Sequence, residues 1–284
     1  LQSNRGLYSF FDVFTVNQPA SISSYNQAAF SLSELNQPLH ECTYLDSRLP
    51  KCNAQANSTP CSFSNETKVD IIISPHCLEF FLHFITDQLR DKALIENTSL
   101  FQNKLNEKVA SSILTLHSSP RYGAIHSKYF ITSDGFEAEN TTIIQNGVLQ
   151  SLLLSQFGAN KTGKSRGGNA GDRWIIEPGK RHHTELVKDI SRGVYLGRFA
   201  GGRPDQNGNF SGVAKNSFYI ERGLIQHPLD ETVITGNIAD LLQSITDISR
   251  NRINFGTSIL PWILVHNVCV STPQSPHSSG KASC

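Results

Sequence analysis

Thr141-Thr-Ile-Ile-Gln-Asn-Gly-Val-Leu-Gln150 decides the fold class. Two apolar runs, the first opening on β-branched residues, flank Asn146-Gly147. A two-residue hairpin turn of the favoured twist needs positive φ at both central positions, and Asn-Gly supplies it. Arg222-Gly223 reads the same way, turning the strand that ends at Glu221 into Leu-Ile-Gln-His227. Pro204-Asp205 and Asn207-Gly208 mark the loop over 201–209 as a further chain reversal. Strands are expected over 141–145, 148–155, 174–177, 194–199, 210–221, 224–227, 232–235 and 259–270.

Upstream of this region, Val69-Asp-Ile-Ile-Ile-Ser74 is a short β-branched run of the kind that forms a buried strand. Ser74-Pro75 then opens a helix, with Ser as N-cap and Pro at the first helical position. Leu78, Phe81, Leu82, Ile85 and Leu89 recur at three- and four-residue spacing, a stripe that predicts helix to about residue 94. A short amphipathic piece over 100–105 and a strand over 113–117 follow. A short helix is expected over 182–192, with His182-His183 solvated at its start. Asn237 caps a last helix to about residue 248, with Ile238, Leu241, Leu242 and Ile245 on one face. The sum is an α+β class: a β-rich domain of antiparallel sheets and hairpins with two or three packed helices, spanning 67–271. Residues 1–66, rich in Ser, Asn, Gln and Pro, read as irregular structure or the remnant of an upstream domain, with a linker near 54–65. The Ser- and Pro-rich stretch 272–284 reads as a disordered tail.

The 284 residues are 38% hydrophobic and 17% charged, which suffices for a sizeable core. A net charge of +1 excludes a nucleic-acid platform, which carries a strong basic surplus. No apolar run is long enough for a membrane helix, and the first residues lack the pattern of a signal peptide. The chain contains no Met, not even an initiator, and reads as lacking an N-terminal part. Cys42, Cys52 and Cys61 cluster at spacings that fit no common zinc pattern, while an even total of six cysteines permits disulfides. Asn57-Ser-Thr, Asn65-Glu-Thr and Asn140-Thr-Thr are glycan acceptors in a secretory setting.

Several segments, in order, carry a family resemblance. They are the strand–Ser-Pro–helix unit at 69–75, Lys108-Val-Ala-Ser-Ser-Ile-Leu-Thr-Leu116, Asn146-Gly-Val-Leu149 and Gly168-Asn-Ala-Gly171. Arg192-Gly-Val-Tyr195, Phe210-Ser-Gly212, Phe218-Tyr-Ile-Glu221 and Thr235-Gly-Asn237 continue the series. Together these resemble the C-terminal region of the TldD/PmbA family, once called modulators of DNA gyrase, and within it the PmbA/TldE branch. The resemblance implies a cytoplasmic heterodimeric peptidase that degrades or trims unfolded and modified peptides. One subunit, TldD-like, carries zinc on an HExxxH helix and a later Cys. The other lacks those ligands, so this chain is expected to hold no cofactor itself and to meet its zinc in a TldD-like partner. The Cys cluster and the sequons motivate the alternative, a non-enzymatic module that reuses the fold for binding or self-association, in an extracellular setting.

The sequence has no HExxH or HExxxH; the corresponding helix reads His76-Cys77-Leu78-Glu79-Phe80-Phe81-Leu82-His83. His76, Glu79 and His83 share a face at i, i+3 and i+7, which makes them the candidate metal ligands. The two histidines are about 10 Å apart along the axis, too far for one zinc, so the expected metal and catalytic sets are empty. Cys269 reads as a small buried hydrophobe. Gly158-Ala-Asn-Lys-Thr-Gly-Lys-Ser165 matches the bare phosphate-loop pattern without the strand-to-helix context that pattern needs. The resemblance instead places Gly167, Gly168, Asn169, Ala170 and Gly171 beside a groove for extended peptide, whose main chain glycines allow to come close. Phe199, Phe210, Phe218 and Tyr219 are candidates for core or partner contact.

Overall fold

In the computed structural model the described residues are 7–14, 24–31, 38, 61–63, 66–229, 232–272 and 282–283. The hairpin turns form where the sequence places them. Asn146 and Gly147 take φ of 49° and 80°, joining β6 (Thr141–Gln145) to β7 (Val148–Leu149) in antiparallel register. Gly147 is also fixed by space, because a Cβ there would collide with the Ala110 carbonyl. Arg222 and Gly223, at φ 49° and 74°, join β12 (Phe218–Glu221) to β13 (Leu224–Pro228).

The remaining strands are β1 (Leu7–Phe14), β2 (Ser24–Ser31), β3 (Cys61–Ser62), β4 (Thr67–Ile73), β5 (Leu116–Ser118), β8 (Trp174–Ile176), β9 (Arg192–Leu196), β10 (Arg198–Gly201), β11 (Asn209–Lys215), β14 (Val233–Asn237), β15 (Ile245–Asn254), β16 (Ile259–Ser271) and β17 (Ala282–Ser283). Thirteen of the described strands form one sheet, in the order β13-β12-β9-β4-β16-β8-β5-β6-β7, with β10, β11, β14 and β15 branching from it. β1 and β2 make a separate antiparallel pair. The thirteen-residue β16 is the axis. Its start meets β8 and the rest of that edge meets β4; its opposite edge is shared by β15 and then β14. Pro261 lacks a donor, and the register with β15 slips between Ile248 and Arg252 beside it. Ser249 fills the gap, its hydroxyl accepting from Trp262 N at 2.9 Å.

Hairpin chemistry is local, so it predicted antiparallel pairing. Nonlocal pairing makes the sheet mixed: β4 runs parallel to β9, and β16 meets β8 in parallel at Ile259 and Ile175. Five helices are described: α1 (Pro75–Asp87), α2 (Asp91–Ile95), α3 (Gln156–Thr162), α4 (His183–Lys188) and α5 (Ile238–Gln243). Ser74 caps α1 as expected, accepting from Cys77 N. The stripe expected to run to residue 94 is cut by extended backbone at Arg90, so α2 starts as a new helix. No helix forms over 100–105. The longest difference follows Asn237. It does cap α5, but Ile245 and Ile248 belong to β15 rather than to a continued helix. Expected long strands over 194–199 and 210–221 are each broken, at Gly197 and at Asn216 (φ 49°).

The core lies between the sheet and α1. Leu78, Phe81, Leu82 and Ile85 are buried, and Phe81 meets Phe80, Phe199 and Phe210 at ring separations of 5.4–5.5 Å. Phe199, Phe210, Phe218 and Tyr219 are therefore core. Phe63, in the stretch expected as linker, is also core, edge-on to Tyr219 at 5.8 Å. Its N–H donates to Thr272 Oγ1, and β17 pairs in parallel with β3, so parts of the expected tail are held on the domain. Cys61 is buried and disulfide-bonded. Cys77 and Cys269 are free. The rest of 1–60 and 273–284 falls outside the described residues. No helix among the described residues is long and apolar enough to cross a membrane.

Candidate functional site

Two regions hold the residues that the sequence singles out: the polar face of α1, and the loop after α3. On α1 the would-be ligands do not converge. The His76 ring packs on Phe255 at 4.6 Å, and the exposed His83 meets the edge of Trp174 at 4.5 Å. Glu79 accepts a 2.7 Å hydrogen bond from the Ser258 hydroxyl. Burial raises the Glu79 carboxyl above the usual carboxylate range, and the Ser258 bond opposes that rise. Burial lowers His83, with Asp87 pulling the other way. The Cys77 thiol is wholly buried and pushed far up by that burial, so it does not supply a thiolate. No group of three or more His, Cys, Asp or Glu among the described residues could hold a metal ion.

Cys269 departs from its expected place. It is half-buried rather than core, and its thiol donates to Glu66 at 3.0 Å. His183 is not solvated either: it stacks on Trp262 at 4.2 Å and shares a 2.7 Å hydrogen bond with Asn251. The phosphate-loop match is removed by its own geometry. Residues 156–162 are helix α3, and Gly163 closes it in the left-handed region at φ 69°.

The loop 167–171 lies on the wall of a cleft of about 410 Å³. Gly167, Asn169 and Ala170 line it together with Arg90, Asp91, Lys92, Thr132, Asp134 and Arg166. Gly168 and Gly171 shape the loop from behind. Gly171 sits at φ +76°, and a Cβ there would collide with the Leu153 side chain. Asn169 is buried and its side chain is fully used: Nδ2 donates to the carbonyls of Ser118 and Glu139, and Oδ1 accepts from Ser118 Oγ and Gly171 N. Gly167 N donates to Leu154 O, and Arg90 Nε donates to Ala170 O at 3.0 Å. The loop is thus a rigid wall.

In the same cleft, Asp134 is clasped by Arg166 through Nε at 3.1 Å and Nη2 at 3.2 Å. Asp134 Oδ2 also accepts from Gln156 N at the start of α3. The Arg166 hydrogen bonds hold the Asp134 carboxyl well below the usual carboxylate range. Arg166 in turn covers the Phe136 ring at 4.1 Å. Asp91 is occupied by Ser155, which donates from both N (2.8 Å) and Oγ (2.5 Å). Arg90, Lys92, Asp134 and Arg166 were not legible as site residues. Arg90 and Arg166 meet across 76 positions of chain, with no local pattern to link them.

The fold thus combines a β-rich mixed sheet, a capped helix at the head of its core and a glycine-walled cleft beside that helix. Residues 66–272 match the PmbA/TldA metallopeptidase C-terminal domain. The chain therefore belongs to the PmbA/TldD family. It is 32% identical to a metalloprotease of Methanothermobacter thermautotrophicus over 66% of this chain and 44% of that one. It is 30% identical to a PmbA homolog of Buchnera aphidicola over 77% and 48%. The chain thus spans about half the length of the curated relatives it matches. The fold is similar to that of TldE from Thermococcus kodakarensis, with a TM-score of 0.76 at 21% identity over 93% of this chain and 62% of that one. A putative modulator of DNA gyrase from Bacteroides thetaiotaomicron gives 0.78 at 22% identity, over 94% and 60%.

Proposed function

We propose that this chain is the PmbA/TldE-type, non-zinc half of a cytoplasmic TldD/TldE-type metallopeptidase. It would bind and shape unfolded or modified peptides at the cleft of loop 167–171, while a TldD-like partner carries the zinc. The observation that carries this reading is α1. Its His76, Glu79 and His83 are each engaged by a different neighbour, and they point to no common centre. The rigid, glycine-bearing loop beside it supports a role in holding extended peptide, since main-chain pairing tolerates varied side chains.

Metal analysis of the purified chain tests the reading first. The expected result is no stoichiometric zinc; stoichiometric zinc that disappears in His83→Ala would overturn it. Mixing with a chain that bears HExxxH and co-purifies from the native source is expected to restore cleavage of an unfolded peptide. The Cys61 disulfide favours a second reading, a binding or self-assembling module in an oxidising setting. Self-association with no cleavage alongside any partner would favour that second reading.

A further inference from the structure

The cleft beside loop 167–171 carries two acids and three cations in its lining, and they are not in the same state. Both acids are spent inside the protein. Asp91 takes two hydrogen bonds from Ser155. Asp134 takes bonds from Thr132, Gln156 and Arg166. Of the cations, Arg166 is tied through Nε and Nη2 to Asp134 and Thr132, and its guanidinium lies over the face of Phe136. Arg90 spends Nε on Ala170 O and Nη1 on Asp87, and its Nη2 makes no hydrogen bond among the described residues. The exposed Lys92 likewise uses its Nζ on none of them. A cleft whose carboxylates already accept hydrogen bonds from the protein, and whose spare donors are a guanidinium and an ammonium, favours an anion. The Arg90 fork is pre-aimed, because its other two nitrogens are fixed to the end of α1 and to the loop.

We infer that the cleft captures its peptide by a carboxylate, held by Arg90 Nη2 and Lys92 Nζ, with the peptide main chain laid along Gly167–Ala170. This rests on the peptide-binding reading above and narrows its substrate class to peptides with a free C-terminal acid or an Asp or Glu near the bound end. The N–H of Asn169, a residue of the cleft wall, donates to no described residue.

The test is binding of labelled eight-residue peptides to the full chain, read by fluorescence anisotropy. Four versions are used: C-terminal acid or amide, combined with an internal Asp or Asn. The peptide with a carboxylate in the favoured position is expected to bind about fivefold tighter than the doubly neutral one, as a partly screened ion pair allows. That advantage should shrink as salt rises. Comparing the two singly acidic peptides tells whether the C-terminus or the side chain supplies the group. Lys92→Gln, on the surface and outside the core, should remove part of the advantage, and Arg90→Gln the rest. Equal binding of all four peptides, or a preference that survives both substitutions, overturns the carboxylate inference while peptide binding stands. No binding by any peptide overturns both.

Discussion

The helix face at 76–83 and the cleft beside 167–171 are neighbours with opposite character. The helix face looks chemical in the sequence, and in the structure its polar side chains go to separate neighbours. His76 packs on Phe255, Glu79 on Ser258 and His83 on Trp174, so its polar groups serve the packing of their own helix. The cleft looks like a glycine-rich connection in the sequence, yet it joins a hydrogen-bonded wall to donors that no described residue uses. Residue types alone do not mark a site; what matters is whether their hydrogen-bonding capacity is already consumed when the chain folds.

Three substitutions sharpen this contrast. Phe81→Ala has the largest expected effect. It empties the centre of the Phe80–Phe199–Phe210 cluster under α1 and should lower the unfolding free energy by about 3 to 5 kcal/mol. A urea midpoint at unchanged slope measures it; a negligible change would show that α1 is not part of the core. Gly171→Ala comes next. It puts a Cβ at positive φ and into Leu153, for a loss of about 1 to 3 kcal/mol. Faster amide exchange over 167–171 should accompany it, and an unmoved midpoint would mean that the cleft wall is soft.

Glu79→Gln has the smallest effect, and its sign is the informative part. Burial raises the Glu79 carboxyl in the native state, so the folded chain keeps a proton that the unfolded chain releases. Stability from this group is present at acid pH and is lost as pH rises above the ordinary carboxylate range. Gln keeps an acceptor for Ser258 and never ionises. The variant should therefore melt higher than the parent at pH 8, with the gap closing toward pH 4. A gap that stays constant with pH would show that Glu79 is well solvated.

The turns were legible because their chemistry is local. Asn146-Gly147 and Arg222-Gly223 adopt the positive φ values that a tight reversal demands, and Ser74-Pro75 states a helix start within two residues. The α1 stripe was equally plain. The misreadings came where distant partners override local pattern. Leu241, Leu242, Ile245 and Ile248 keep a helical spacing, yet the edge of β16 draws the last two into β15. The parallel pairing of β4 with β9 joins segments more than a hundred residues apart and has no turn to announce it. Loop 167–171 was visible as glycines, whereas Arg90, Lys92, Asp134 and Arg166 come to one cleft only through tertiary placement.

The central position of β16 has a consequence in time rather than in space. It is the strand that β4, β8, β14 and β15 all need as a neighbour, and β4 lies nearly two hundred residues before it. During synthesis the Ile-rich β4 leaves the ribosome with its β16 edge unpaired, and that edge stays open until almost the whole domain has followed. Such long-range closure is slow and exposes apolar strand edges to wrong partners. The early hairpins and the capped α1 are the local pieces that can form while the chain waits.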